Sequence, residues 1–563
     1  MRSPHSCRAG TAVAVATVAL LLSTTARAAE LGRPDLAAAL YSNQFGFNGE
    51  GEPVVRVGIA DGLSKLTFSA DGPVAFEPEG AGGSRAELSP GDTWSVTVHA
   101  SKPARTRTWV GVERVQPPDE AVVAGAISLW RTRGYPDAQA IELGAVFGFA
   151  GEVMDSRHTL IAVGGTEDPE AASALAERLR KEQGIRPVLT EVLDTLPEGE
   201  IRIQGRRSGV TFRNRRVFRV SPLSTGTRFR LRAVGHPSKR LPPGVTDPAG
   251  RTYRGALYFA VDRSGRLAVG NSVGAEELLR GLVPTEIYAR SPSEALKAQA
   301  VTARNEVLAK LGTRHLTDPY LLCDDIHCQA YPGAGRETAR TSKAVEETRG
   351  RMLFREGKLV DAVYSASCGG HSEANQSVWP APADPALQGA WDGPVAVRPS
   401  ETPGTTEDAL ARFLRKPPRG AYCKATTLGS SNFRWRRRLD GHRLTTLVNR
   451  RHNIGRVQDL RVTARGPGGR VEELTIEGAE ANAVVRGELT VRRLFGNLKS
   501  GMFILEAKRA GDGRLSSVTF IGGGFGHGVG MCQSGTIGRA EAGQTYDEIL
   551  GHYYGGAEVR AVY

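Results

Sequence analysis

GLVPTEIYARSPSEALKAQAVTARNEVLAKLG runs from Gly281 to Gly312, and its reading decides the architecture of the C-terminal half. Pro292 stands just inside a helix start, with Ser291 the expected cap. Leu296, Ala300, Ala303 and Val307 recur at helical spacing, so the segment predicts one helix over 292–311 with that face buried. The many alanines permit close backbone packing, and the other side presents Lys297, Gln299 and Arg304. Two carboxylates flank the start. Glu294 falls in the first turn, where the helix dipole favours it. Glu286 follows Leu282-Val283-Pro284-Thr285, in an expected loop between an apolar segment and the helix. Apolar surroundings there would keep it protonated at neutral pH.

Around this helix the chain is long, at 563 residues, which implies about two or three domains. Abundant glycine (68 residues) and sparse aromatics point to turns and short strands rather than helical bundles. The fold expected is α+β: antiparallel β-rich layers flanked by the 292–311 helix and a few shorter ones. Residues 1–28 read as a secretory signal, with basic Arg2 and Arg8, an apolar run Ala12 to Leu22, and the small-x-small site Ala26-Arg27-Ala28. The apolar run is too short to span a bilayer comfortably. An exported chain, in the periplasm or cell envelope, is therefore expected. Removing three arginines with the signal takes the net charge from +13 to +10 (13 − 3), still basic. Outside the cytoplasm such charge meets anionic wall polymers or lipid headgroups rather than nucleic acid.

Along the chain, a β-rich region is expected over 29–125. Over 126–205 a strand–helix–strand unit follows: Thr159 to Val163 as strand, Asp168 capping a helix that starts at Pro169, Ala171, Leu175 and Leu179 on its stripe, and Val188 to Val192 as the next strand. This unit resembles half of a SPOR-like domain, a module associated with peptidoglycan strands. The region 206–563 carries the chemistry, with the Pro- and Arg-rich stretch 380–450 expected as an insertion.

Two further segments accompany the helix. One is YSASCGGHSE (Tyr364–Glu373), in which Ser365, Ser367 and His371 offer hydroxyl and imidazole hydrogen bonds. The other is GFGHGVGMCQSG (Gly524–Gly535), in which His527 and Gln533 offer more. The glycines of the second segment are not followed by Lys-Ser/Thr, which argues against a phosphate loop. Together, PTEIYARSPSEALKAQAVTAR, YSASCGGHSE and GFGHGVGMCQSG resemble the ordered motifs of the SpoIID/LytB family over roughly residues 250–563. Ile287-Tyr288 stands where the family has Met-Pro.

The resemblance implies a lytic transglycosylase that cuts the β-1,4 bond between N-acetylmuramic acid and N-acetylglucosamine in peptide-stripped glycan, leaving a 1,6-anhydro end. One carboxylate suffices for this, because a single group can protonate the leaving oxygen and then accept the proton of the 6-hydroxyl. Glu286, aligned with the family's glutamate, is the expected acid/base. The resemblance implies that Lys297, Gln299, Arg304, Ser365, Ser367, His371, His527 and Gln533 contact the sugar hydroxyls and acetamido groups or, for His527 and Gln533, hold the acid in place. The alternative is a non-catalytic, wall-binding amidase enhancer partnered with an N-acetylmuramoyl-L-alanine amidase.

The cysteines pose a separate question. Cys7 falls in the signal and five remain, an odd number, so pairing alone cannot account for them. In HLTDPYLLCDDIHCQAY, His315, Cys323, His327 and Cys328 can close a tetrahedral zinc site, expected to be structural, with Asp318 or His371 as substitutes for His315. A Cys323–Cys328 disulfide and free thiols are the other readings. Cys368 reads as an inert small side chain, and Cys532 as the least important polar residue of its motif.

Overall fold

The computed structural model describes residues 36–78, 85–149, 152–185, 187–234, 251–325, 327–424, 426 and 432–563. The signal expected over 1–28 lies outside them. The fold is α+β. Among the described residues no helix is long and apolar enough to cross a membrane.

The N-terminal half is built on two largely antiparallel sheets. One has the strand order Gly46–Phe47, Pro53–Leu63, Leu267–Gly274, Ala256–Val261, Val217–Pro222, Val74–Pro78, Ala86–Leu88. The short strand Leu322–Cys323 joins it, pairing parallel to Pro53–Leu63. The other runs Thr211–Arg215, Glu198–Gly205, Thr93–Lys102, Lys65–Ala70, Phe229–Val234, Arg251–Tyr253. Alternating apolar residues of both meet in one core, where Phe68 packs on Phe259 with ring centroids 5.2 Å apart and Phe76 stacks on Phe212 at 4.8 Å.

A third sheet interrupts the second one. Strands Thr93–Lys102 and Glu198–Gly205 pair directly, and a further unit is inserted between them, apart from the hairpin of Val146–Phe149 and Glu152–Asp155, whose Phe147 and Met154 are buried in the first core. That unit has the strand order Val188–Thr195, Arg105–Val115, His158–Thr166, Gln139–Leu143, all antiparallel. Helices Glu120–Thr132 and Pro169–Gln183 contribute to its core around Trp130, Ile161, Val163 and Leu179. Asp168 caps the second helix by accepting from the Glu170 N–H, and Gly184 ends it at φ 67°. The unit's four-stranded sheet and two helices run βαββαβ in chain order from residue 105 to 195, not 126 to 205, with the hairpin of Val146–Phe149 and Glu152–Asp155 between the two middle strands. The strand Arg105–Val115 belongs to this unit and Glu198–Gly205 does not. The buried stripe is Ala172, Ala176 and Leu179, one residue on from the expected one at its first two positions.

The second half is organised around helix Ser293–Ala309, hereafter the central helix. Ala295, Ala298, Ala300, Val301 and Ala303 are all fully buried, because small side chains let several elements approach at once. Its N-cap is Pro292, without a side-chain cap bond, so Ser291 does not play the expected role. Residues 434–440 correct the expected insertion. They form a strand antiparallel to Leu515–Gly523, which in turn pairs with Phe503–Arg509, and Trp435, Leu439, Leu444 and Val448 are buried in that core. The strand Leu515–Gly523 leads directly into GFGHGVG.

Candidate active site

The three motif segments converge. Tyr364–Ser365 pairs parallel with Met531–Cys532, and bridges Ser367↔Phe525 and Glu373↔Val529 continue the contact. The glycines are used for close approach. At Gly528, φ is 74° and an added Cβ would lie 1.9 Å from the fully buried Arg470 guanidinium. Arg470 bonds the Cys368 carbonyl at 3.1 Å, and its backbone N–H donates to the Glu373 carboxylate at 3.0 Å. Glu373 also accepts from the N–H groups of Gly468 (2.8 Å) and Ala374 (3.0 Å). The wall is therefore built rigidly from the backbone.

Glu286 faces this wall. It is the last residue of helix Ala275–Glu286 rather than part of a loop, and it is half-buried. Burial pushes its pKa from 4.5 up to about 7, and the neighbouring Glu306 carboxylate adds to the shift. A hydrogen bond from Tyr364 and the charge of Lys310 act in the opposite direction. The helix C-terminus, negative by its dipole, also disfavours a carboxylate. Gln533 links the two sides, its Nε2 donating to the Glu286 carbonyl at 2.8 Å and to Gln299 Oε1 at 3.1 Å. Glu306 is anchored by Lys310 and by Gln329 Nε2 at 2.6 Å.

His527 is half-buried against the Trp379 ring, with centroids 4.9 Å apart. Its Nδ1 accepts the Val529 N–H at 3.1 Å. Burial, and then the Arg470 charge, hold its pKa down at about 3, so the imidazole is neutral.

The ligand atoms of His315, Cys323, His327 and Cys328 all lie within 4.8 Å of one another. His315 Nε2 is 3.3 Å from Cys328 Sγ, and His327 Nδ1 is 3.7 Å from each sulfur. Zinc bonds of about 2.3 Å to sulfur and 2.0–2.1 Å to nitrogen give a tetrahedral S···N edge of about 3.6 Å, so the donor set fits that ion. Asp318 is not a substitute ligand. Its carboxylate takes the His315 Nδ1–H at 2.8 Å, which turns Nε2 toward the sulfurs, the usual arrangement behind a metal-bound histidine. Both cysteines are free thiols rather than a disulfide. Lys310 donates to the Cys328 carbonyl at 2.7 Å, which ties this cluster to Glu306 and so to the surroundings of Glu286.

Residues 263–354 match the model of the stage II sporulation protein, SpoIID, and residues 373–530 match a domain of unknown function, DUF8618. The chain is 30% identical to the amidase enhancer of Bacillus subtilis (strain 168) over 305 residues, 49% of this chain and 39% of that protein. It is 27% identical to the stage II sporulation protein D of Bacillus amyloliquefaciens over 304 residues, covering 51% of this chain and 74% of that one. The protein of the same name from Bacillus subtilis (strain 168) is 26% identical over 319 residues, 54% and 79% of the two chains. Residues 263–354 are thus a SpoIID segment, and about half of the chain is similar to proteins of the SpoIID/LytB family.

Within this SpoIID-like region, several residues expected at the substrate face inward instead. Arg304 is fully buried and pairs with Glu276 at 2.7 and 2.8 Å, while its remaining nitrogen donates to the Arg351 carbonyl at 3.0 Å. Ser367 is buried without a hydrogen-bond partner for its hydroxyl, and Ser365 Oγ accepts the Gly528 N–H at 3.2 Å. His371 is buried, bonds the Ser372 carbonyl at 2.7 Å, and is neither sugar-facing nor part of the zinc-type cluster. Gln299 is buried beneath Gln533. These positions favoured hydrogen bonding in the sequence, but the bonds are used to hold the wall together. Lys297 is engaged by Glu294 at 2.9 Å and Glu347 at 3.1 Å, and Glu294 also accepts the Tyr546 N–H at 2.9 Å, so that carboxylate is structural.

Sequence reasoning missed Tyr364, Glu306 and Trp379. Glu306 and Lys310 are four residues apart on the helical segment, a legible pair, but nothing in one dimension brings them beside Glu286.

Proposed function

We propose that this protein is an exported peptidoglycan lytic transglycosylase with Glu286 as its single general acid and base. The family relationship supports a role at the cell wall. The observation that carries the enzymatic reading is the Glu286 carboxyl, held half-buried with its pKa raised to about 7 at the junction of the three motif segments. Such a group is partly protonated at neutral pH and can give its proton to the O4 leaving group of N-acetylglucosamine. The carboxylate so formed then takes the proton of the muramic acid 6-hydroxyl as O6 bonds to C1. Atoms balance without water, and the product is a 1,6-anhydro end. Tyr364 orients the acid, and Gln533 fixes the helix end that carries it. Half-buried Trp379, braced by neutral His527, supplies an apolar face for a sugar ring.

His315, Cys323, His327 and Cys328 would hold zinc as a closed structural site, which leaves no position for a reacting water. The strand–helix–strand part of the inserted unit resembles half of a SPOR-like module, and on this reading it makes a second contact with glycan. A second reading, wall binding that stimulates an amidase, is favoured by the name of the Bacillus subtilis relative, of which this chain covers 39%.

Digestion of amidase-treated sacculi, read by mass spectrometry, separates these readings. Anhydro-ended fragments that disappear with Glu286→Gln, while sacculus binding persists, support the transglycosylase. Reducing ends would mean hydrolysis. Binding without fragments, with an added amidase accelerated, would mean an enhancer.

A further inference from the structure

A second cluster of ligating side chains lies within the wall and shares no residue with the His315 cluster or with the groups around Glu286. Cys368, Asp392, Cys423 and Cys532 are all buried, and their ligand atoms lie within 4.8 Å of one another. We propose that these four residues form a second structural metal site, of the thiolate-rich zinc class.

The geometry has the scale of a coordination sphere. Cys368 Sγ is 3.6 Å from Cys423 Sγ and 3.3 Å from Asp392 Oδ2. A tetrahedral zinc with bonds of about 2.3 Å to sulfur and 2.0–2.2 Å to oxygen spans edges of about 3.8 and 3.5 Å. A disulfide would need its sulfurs at about 2.0 Å. All five cysteines from Cys323 onward are free thiols.

Backbone N–H groups point at two of the sulfurs. Cys532 Sγ receives the N–H groups of Cys368 at 3.1 Å and Gly535 at 3.2 Å, the latter as N-cap of helix Gln533–Glu541. Cys368 Sγ receives the Gly370 N–H at 3.4 Å. Asp392 has one oxygen aimed at the sulfurs and the other held by Arg539 Nε at 3.1 Å and Tyr553 OH at 2.9 Å, which fixes a carboxylate ligand from behind. Gly535 is required for this approach, since a Cβ there would lie 2.1 Å from Asp392 Oδ2. Three thiolates and a carboxylate around a dication leave two negative charges. Arg539 offsets part of this, and so does Arg434, whose guanidinium bonds the Gly369 carbonyl at 2.8 Å beside Cys368.

Cysteine arithmetic points the same way. Two thiols in the first cluster and three in the second use all five, so the odd number no longer leaves one over. The second metal would tie YSASCGGHSE, the 391–423 segment and GFGHGVGMCQSG into one wall, and Cys368 and Cys532 become its fasteners. Soft thiolates in a closed tetrahedron select zinc over harder divalent ions.

The test is metal stoichiometry on the full chain purified without chelator, with peptide mapping of its thiols. Two zinc ions per chain are expected in the wild type, one each in Cys423→Ser and Cys323→Ser, and none in the double variant. X-ray absorption should give a sulfur-dominated shell in Cys323→Ser and a mixed sulfur–nitrogen shell in Cys423→Ser. Should Cys423→Ser fail to fold, Asp392→Asn keeps the shape but weakens one ligand, and a chelator should remove one of its two zinc ions at least tenfold faster than from the wild type. Fewer than two metals per wild-type chain overturns the proposal, as does a mapped Cys368–Cys423 disulfide. Unchanged zinc release from Asp392→Asn overturns it too.

Discussion

Replacing Glu286 by glutamine tests the electrostatics of the site independently of any substrate. The folded protein raises this carboxyl from 4.5 to about 7, chiefly by burial and then by Glu306. Between those two values the folded state binds more protons than the unfolded one, so stability must fall as pH rises through that window. The contribution is fully present below pH 4.5 and gone above pH 7. A shift of about 2.5 units at 1.36 kcal/mol each sets a ceiling of about 3.4 kcal/mol, reduced because water still reaches part of the group. Glutamine keeps the size and can accept the Tyr364 hydrogen bond, yet does not titrate. The stability of Glu286→Gln relative to wild type should therefore climb by about 2 kcal/mol or more from pH 4 to pH 8. Urea unfolding of both proteins across that range, at fixed ionic strength, measures the difference. Effects of pH on the cysteine clusters are common to both and cancel. A flat difference would mean that the carboxyl titrates at its ordinary value, and Glu286 could not then be a proton donor at neutral pH.

Three other outcomes are expected. Tyr364→Phe removes a hydrogen bond that favours the Glu286 carboxylate, a type worth about 1.5–3 kcal/mol, so the alkaline limb of the kcat/KM profile on peptide-stripped glycan should move up by about one to two pH units. A limb that stays put or moves down would exclude the bond. Arg304→Ala leaves Glu276 buried without its partner and should cost about 3–5 kcal/mol in urea unfolding, while KM of the folded fraction is unchanged. A selective rise in KM would restore Arg304 to the substrate. Cys323→Ser should release one metal and lower thermal stability well beyond the roughly 1 kcal/mol of an average substitution, read by calorimetry with and without chelator.

How far the sequence carried is clearest at the central helix. Its alanine-rich 3.6-residue pattern specified a buried helix, and the glutamate before it stood out because an apolar run preceded it. The segment that carries Glu286 was read as a loop. It is the end of a helix that continues through Pro284 to Glu286, because Leu278, Leu279, Leu282 and Val283 are buried and hold it in place. The polar side chains of YSASCGGHSE illustrate another limit. Hydrogen-bonding capacity is visible in a sequence, but whether it is spent on a ligand or on the neighbouring backbone depends on burial, as Ser365 and His371 demonstrate. The first cysteine–histidine cluster was legible because its last three ligands lie within six residues. The second was not, because Cys368, Asp392, Cys423 and Cys532 are spread over more than 160 positions, and only the odd thiol count hinted at them. The βαββαβ unit was half-read, since its first strand looks like one more piece of the β-rich region it interrupts.

That interruption has a consequence of its own. Lys102 and Glu198 are direct partners across one antiparallel pair, so the ends of the βαββαβ unit lie only about 5 Å apart. A chain that leaves and re-enters a sheet at adjacent positions carries the intervening residues as an insertion that need not disturb the register on either side. One part of the insertion does reach back. The hairpin of Val146–Phe149 and Glu152–Asp155 buries Phe147 and Met154 in the main core, so removing residues 103–197 would keep the flanking strand pairing but open that core.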